Sequence, residues 1–168
     1  MRLFFALWPN ADAAARLAGI AAELTVRAPG RRVLPNNHHV TLAFLGEVPG
    51  SQLAMLQQVA GSVQAHRFTM SFDSLEYWPQ SQVVVAAAQK SSPGLLRLAA
   101  QLQAATGPAP RPLRAHVTLA RKMTQAPVLQ AMSTIGWDAV SFSLVRSDTG
   151  GAESAYTVLD TWPLLDET

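Results

Sequence analysis

Five residues of this chain occur twice. His39-Val40-Thr41-Leu42-Ala43 returns as His116-Val117-Thr118-Leu119-Ala120, nearly half a chain later. Each copy follows a helix-like segment and a loop that carries proline and arginine. Repeated sequence in a repeated setting predicts a duplicated lobe. Side chains alternate along a strand, so His39 and Thr41 share one face while Val40 and Leu42 point to the other. The same holds for His116 and Thr118 against Val117 and Leu119. A pseudo-twofold relation between the lobes lets the two polar faces meet across a cleft, with two imidazoles and two hydroxyls around one small volume.

The rest of the chain reads as strands alternating with helices. Leu3 to Trp8 is a buried strand, and its six apolar residues are too few for a secretory h-region of roughly 7–15. Residues 11–27 form a helix with Leu17, Ile20, Ala21 and Leu24 on one face, stopped by Pro29-Gly30. Residues 38–45 form a strand ended by Gly46. Ser51 caps a second helix through about Ala65, with Leu56, Val59, Ala60 and Val63 inward. Phe68, Met70 and Phe72 alternate as a half-buried strand, Trp78-Pro79 turns, and Val83 to Ala86 form another strand. Ser92-Pro93 opens a third helix with Leu95, Leu98, Ala99 and Leu102 buried, closed by Gly107-Pro108. Residues 115–120 form a strand, residues 125–137 favour a short helix, and Val140, Phe142 and Leu144 alternate. Gly150-Gly151 turns into a last strand over 155–162. The expected class is α+β: two pseudo-symmetric lobes of mainly antiparallel sheet with outer helices, a duplicated β-α-β-α-β unit around a cleft, in one bilobal domain spanning residues 1–168.

Of the 168 residues, 49% are hydrophobic and 14% charged, which supports a packed core and argues against disorder. No stretch approaches the ~18 continuous apolar residues of a membrane helix. The absence of cysteine excludes disulfides and a thiolate zinc site. There is no His-Glu-x-x-His, and neither motif holds a carboxylate, so neither metal nor cofactor is expected. A monomer in the cytoplasm, with no membrane contact and no obligate protein partner, is the expected state.

The net charge of +2 is small, but its placement is informative. Arg31 and Arg32 precede the first motif, Arg111 and Arg114 precede the second, and Arg121 and Lys122 follow it. Any one of these reads as a loop charge; six around two motifs point to an anion-binding rim. His38 faces away from His39, and His66 lies outside either motif; both read as structural or surface residues.

Two histidines with two threonines suit the opening of a cyclic phosphate. Water must be activated by a base and the departing oxygen protonated by an acid, and imidazole does both near neutral pH. The two oxygens lie roughly in line across phosphorus, so histidines from opposite lobes can flank it. Thr41 and Thr118 can donate to the non-bridging oxygens. Strict alternation sets Arg121 on the face away from the cleft; a twist at the strand end is needed to bring its guanidinium to a phosphate, and otherwise it is a surface cation.

Paired His-x-Thr motifs in a chain of this length resemble the 2H phosphoesterases, and within them the RNA 2′,3′-cyclic phosphodiesterase branch, historically called 2′-5′ RNA ligase. The likeness runs nearly end to end. It includes Arg2-Leu3-Phe4-Phe5-Ala6-Leu7-Trp8-Pro9, the first motif extended to Gly46, Trp78-Pro79, Arg114 to Arg121, Leu144-Val145-Arg146-Ser147 and the tail from Tyr156 to Leu164. Ala115 departs from the proline frequent before the second histidine. The resemblance implies hydrolysis of an RNA terminal 2′,3′-cyclic phosphate to a 2′-phosphate, with reversible 2′-5′ joining of RNA as a related activity. It implies His39 as proton donor, His116 as proton acceptor, and Thr41, Thr118 and Arg121 as the phosphate holders. Two other readings stay open: a phosphodiesterase for small cyclic phosphates, such as cyclic mononucleotides or ADP-ribose cyclic phosphate, and a non-catalytic module that binds RNA ends.

Overall fold

The computed structural model describes residues 1–107, 112–148 and 154–166. Pro108, Arg111 and the Gly150-Gly151 turn lie outside the described residues. The strands are β1 (Arg2–Leu7), β2 (Arg31–Arg32), β3 (Val40–Glu47), β4 (Phe68–Phe72), β5 (Ser74–Trp78), β6 (Val83–Ala87), β7 (His116–Arg121), β8 (Ile135–Ala139), β9 (Ser141–Asp148) and β10 (Ala155–Pro163). The helices are α1 (Ala11–Arg27), α2 (Leu53–Ser62) and α3 (Pro93–Thr106).

The fold is α+β, and all its strand ladders are antiparallel. The main sheet runs β10-β9-β1-β3-β7-β6-β5, with β2 also on β7. The first repeat, β1-α1-β3, and the second, β6-α3-β7, meet at the centre, where β3 and β7 join through the single pair Val40 and Val117. The helices lie across this joint: α1 packs on β7 and α3 on β3. Each half is therefore held by the helix of the other.

Local chemistry explains the helices. Asn10 caps α1, its side-chain oxygen accepting from the Ala13 amide at 2.9 Å. Ala13, Leu17, Ala21 and Leu24 form its buried stripe, and each fully buried leucine contributes roughly 1.5–3 kcal/mol. Pro93 opens α3, but the Ser92 hydroxyl makes no capping bond there. Ser51 is no cap either: Gly50–Gln52 form a 3-10 turn, α2 starts at Leu53, and the chain becomes extended at Val63.

The expected helix over 125–137 does not form. Its last three residues open β8, Ile135–Ala139, which pairs with β4 in a separate ribbon. The period there is two: Ile135, Trp137 and Ala139 are buried, and Gly136 and Asp138 exposed. Trp137 stacks on Phe72 with centroids 5.0 Å apart. The ribbon bridges α3 through β4 and α1 through β8. Ser74–Trp78, unassigned by pattern, pairs with β6 as a hairpin across the turn that follows Trp78. Gly46 does not end β3. It takes φ +70° beside a bulge at Leu45, and the strand continues to Glu47.

Candidate active site

A second bulge in β3 and a matching one in β7 build the site. Phe5 pairs with Ala43 and Ala6 with Thr41, which leaves Leu42 unopposed. Val84 pairs with Ala120 and Val85 with Thr118, which leaves Leu119 unopposed. At each bulge two successive residues enter the core: Leu42 with Ala43, and Leu119 with Ala120. The extra residue resets the alternation. Phe44 and Arg121 thereby return to the face that carries the motif histidines, and both line the same cleft. Arg121 thus reaches the site by a bulge inside the motif, where simple alternation placed it on the opposite side.

The cleft has a volume of about 340 Å³ and is lined by Arg2, Phe4, His39, Thr41, Phe44 and Arg121, with Ser147, Ser154 and Tyr156 along one wall. His116 and Thr118 lie on the adjoining β7, outside that lining set. The antiparallel pair Val40 and Val117 faces the core; one step to either side, the register sets His39 opposite Thr118 and Thr41 opposite His116. All four motif side chains share one face and are partly exposed there.

Both imidazoles are anchored alike. His39 Nδ1 lies 2.7 Å from the Asn37 carbonyl, and His116 Nδ1 lies 2.8 Å from the Arg114 carbonyl. A carbonyl can only accept, so each Nδ1 carries the proton, leaving Nε2 to exchange protons with a substrate. His39 Nε2 is 3.1 Å from Thr41 Oγ1. The Asn37 side chain donates to the Ser154 carbonyl at 2.8 Å, tying this turn to the start of β10.

Beneath each ring is a small apolar floor. Phe4, Ala6 and Val145, with Trp8 and Tyr156, underlie His39; Val83, Val85 and Ala87, with Trp78, underlie His116. The His39 ring centroid lies 4.9 Å from Phe4, 5.7 Å from Trp8 and 5.2 Å from Tyr156. Trp78 lies 4.6 Å from His116. Burial pushes His39 down to about 4, against the raising effect of its carbonyl bond, and the charges of Arg121, His116 and His38 push the same way. Burial also lowers His116, as do Arg114 and Arg121, while its carbonyl bond and Glu76 oppose them.

One of the six cations around the two motifs is paired. Arg114 is neutralised by a two-pronged pair with Glu76. Arg31 stands opposite Arg121 across the β2–β7 pairing, so these two guanidinium-bearing residues adjoin. His38 is buried beside the Val33 carbonyl, and neither ring nitrogen makes a well-formed hydrogen bond. His66 is exposed and meets the Asp166 carbonyl. Among the described residues, no group of three or more His, Asp or Glu side chains is arranged to hold a metal ion. Among them, too, no helix is long and apolar enough to cross a membrane.

Pattern reading missed Arg2, Phe44, Glu76 and the aromatic cage of His39. The repeat itself carried the signal for Phe44, which follows His39 at the spacing by which Arg121 follows His116.

A chain built this way, with paired His-x-Thr strands at the joint of a duplicated sheet, belongs to the LigT-like phosphoesterase family, whose sequence profile matches residues 7–86. The chain is 32% identical over 170 residues to the RNA 2′,3′-cyclic phosphodiesterase of Escherichia coli, covering 97% of this chain and 96% of that protein. It is 29% identical to the protein of the same name from Thermus thermophilus, covering 99% of this chain and 92% of that one. The fold superimposes on a crystal structure of E. coli LigT complexed with 3′-AMP with a TM-score of 0.88, at 30% identity over 97% of each chain.

Proposed function

We propose that this protein hydrolyses RNA terminal 2′,3′-cyclic phosphates to 2′-phosphates by acid/base catalysis between two histidines. The observation that carries this reading is the placement of both His-x-Thr motifs on one face of neighbouring strands, each imidazole held through Nδ1 with Nε2 left for the substrate. The name shared by relatives that match this chain nearly end to end supports the substrate.

In this reading His116 takes a proton from water as its oxygen attacks phosphorus. The bond from phosphorus to O3′ breaks, and His39 gives its proton to that oxygen. The product has a 2′-phosphate and a free 3′-hydroxyl. Thr41, Thr118 and Arg121 hold the non-bridging oxygens, where donors act on the charge that develops. A phosphate anion beside His39 offsets the desolvation that depresses it, which prepares that ring to carry the leaving group's proton. An RNA 5′-hydroxyl in place of water gives a 2′-5′ linkage through the same transition state.

The decisive experiment is product analysis on a defined oligonucleotide ending in a 2′,3′-cyclic phosphate. A 2′-phosphate is expected; a 3′-phosphate contradicts the assignment. A 3′-bridging sulfur tests the roles separately. Sulfur leaves without an acid, so it should rescue His39→Ala and not His116→Ala; rescue of His116→Ala alone reverses the two roles.

A solved structure of the same fold supports a second reading: E. coli LigT was crystallised with a mononucleotide, 3′-AMP. Small cyclic phosphates are then substrates in their own right. Rates on a cyclic mononucleotide and on a cyclic-ended oligonucleotide distinguish the two.

A further inference from the structure

His39 and His116 have the same backbone anchor and different surroundings. His39 sits among aromatic rings, whereas His116 sits against a charged network centred on Glu76 of β5. The Trp78 indole donates to Glu76 Oε2 at 2.9 Å. Arg114 donates to the same carboxylate from both ends of its guanidinium, Nη1 to Oε2 at 2.7 Å and Nη2 to Oε1. The Ser74 hydroxyl adds a bond to Oε1 at 3.3 Å. Both major partners act on His116. Trp78 packs against its ring, and Arg114 supplies the carbonyl that accepts the hydrogen bond from its Nδ1–H.

We propose that Glu76 is a positioning residue for His116: its carboxylate locks the Trp78 indole and the Arg114 segment around the imidazole, and offsets the Arg114 charge there. Its catalytic meaning rests on the reaction proposed above. The charges facing His116 are Arg114 from the preceding segment, Arg121 from its own strand, His39 from β3 and Glu76 from β5. Its neighbour on β6 is Ala87, which is uncharged. Glu76 is the anion of this set. Burial works to raise the Glu76 carboxyl, and the bonds from Trp78 and Arg114 outweigh it, so the group stays ionised while histidines titrate.

The Arg114 and Glu76 side chains are 52% and 26% exposed, so water screens much of what the pair adds to stability. The larger effect falls on the His116 ring beside the pair, which Trp78 packs against and the Arg114 carbonyl holds. The network also separates the two histidines chemically, which their matched backbone anchors cannot do.

The test is an NMR titration of the histidine ring protons in the free protein, which needs no substrate. Glu76→Gln keeps an acceptor for the indole and removes the charge. The His116 midpoint should move to lower pH while that of His39 holds. In Glu76→Gln combined with Arg114→Gln, the midpoint should return toward wild type, because the uncompensated cation is gone. The limb of the kcat/KM profile assigned to His116 should move with the NMR midpoint. Coincident His116 titrations in wild type and Glu76→Gln overturn the proposal. A normal titration shift in a protein with no phosphodiesterase activity instead overturns the reaction and leaves the role of Glu76 standing.

Discussion

Phe44 and Arg121 occupy equivalent places in the two copies of the motif, each turned into the cleft by a bulge directly after the motif threonine. One copy offers an aromatic face and the other a guanidinium. The duplicated backbone thus carries two different contacts at related points.

That pairing divides binding from catalysis. Arg121→Ala should lower kcat/KM by about 10²–10³, the usual cost of removing one donor to a developing oxyanion. Arg121→Lys should recover little, because an ammonium lacks the planar fork. Phe44→Ala should raise KM and leave kcat nearly unchanged, with a loss near the ~1–3 kcal/mol of one base–aromatic stack. Steady-state kinetics on a cyclic-ended oligonucleotide checks both; equal effects on kcat from the two variants contradict the division.

Arg2 bears on substrate length. Its guanidinium lies 4.9 Å from the centroid of the exposed Phe44 ring and lines the same cleft. A cation there suits a phosphodiester beyond the terminal nucleotide. Arg2→Gln should weaken an oligonucleotide substrate and lower its salt slope by about one, while a cyclic mononucleotide reacts as before. Equal losses on both substrates contradict this placement.

The depressed histidines make the fold sensitive to acid. His39 titrates at about 4 in the fold, against an ordinary 6.5. Between those values the unfolded chain binds a proton that the folded one refuses, so stability falls as pH drops from 6.5 toward 4. The full contribution is about 3 kcal/mol at most. His38, lowered mainly by burial, acts in the same direction. Urea midpoints across this window should fall more steeply for wild type than for His39→Ala; parallel curves contradict the assignment.

Gly46 tests the bulge geometry. A Cβ there meets nothing within 4 Å, so the cost of a side chain lies in the φ of +70° alone. Gly46→Ala should cost about 1–2 kcal/mol. That corresponds to a fall in melting temperature of roughly 2–8 °C. An unchanged melting temperature contradicts it.

Much of this molecule was legible because its signals are local. The duplicated pentapeptide located both strands and all four motif side chains, and periodicity found α1 and α3. What escaped was non-local. Bulges are a property of paired strands, so the return of Arg121 to the cleft could not be read from its own segment. The ribbon of β4 and β8 pairs residues far apart in the chain, and the spacing of Ile135 and Trp137 became informative only with Met70 and Phe72 opposite. Glu76 lies on a strand that the turn at Trp78 masked, and its partner Arg114 comes from the other side of α3.

The most direct test is single-turnover hydrolysis of a cyclic-ended oligonucleotide by His39→Ala, His116→Ala and the double variant. Each single change should slow the reaction by about 10²–10⁴, the range for a lost general acid or base. The double variant should be little worse than either single one, because groups that act as a unit are not additive. Turnover within about tenfold of wild type in either single variant, well short of the loss expected for an acid or base, contradicts the two-histidine account.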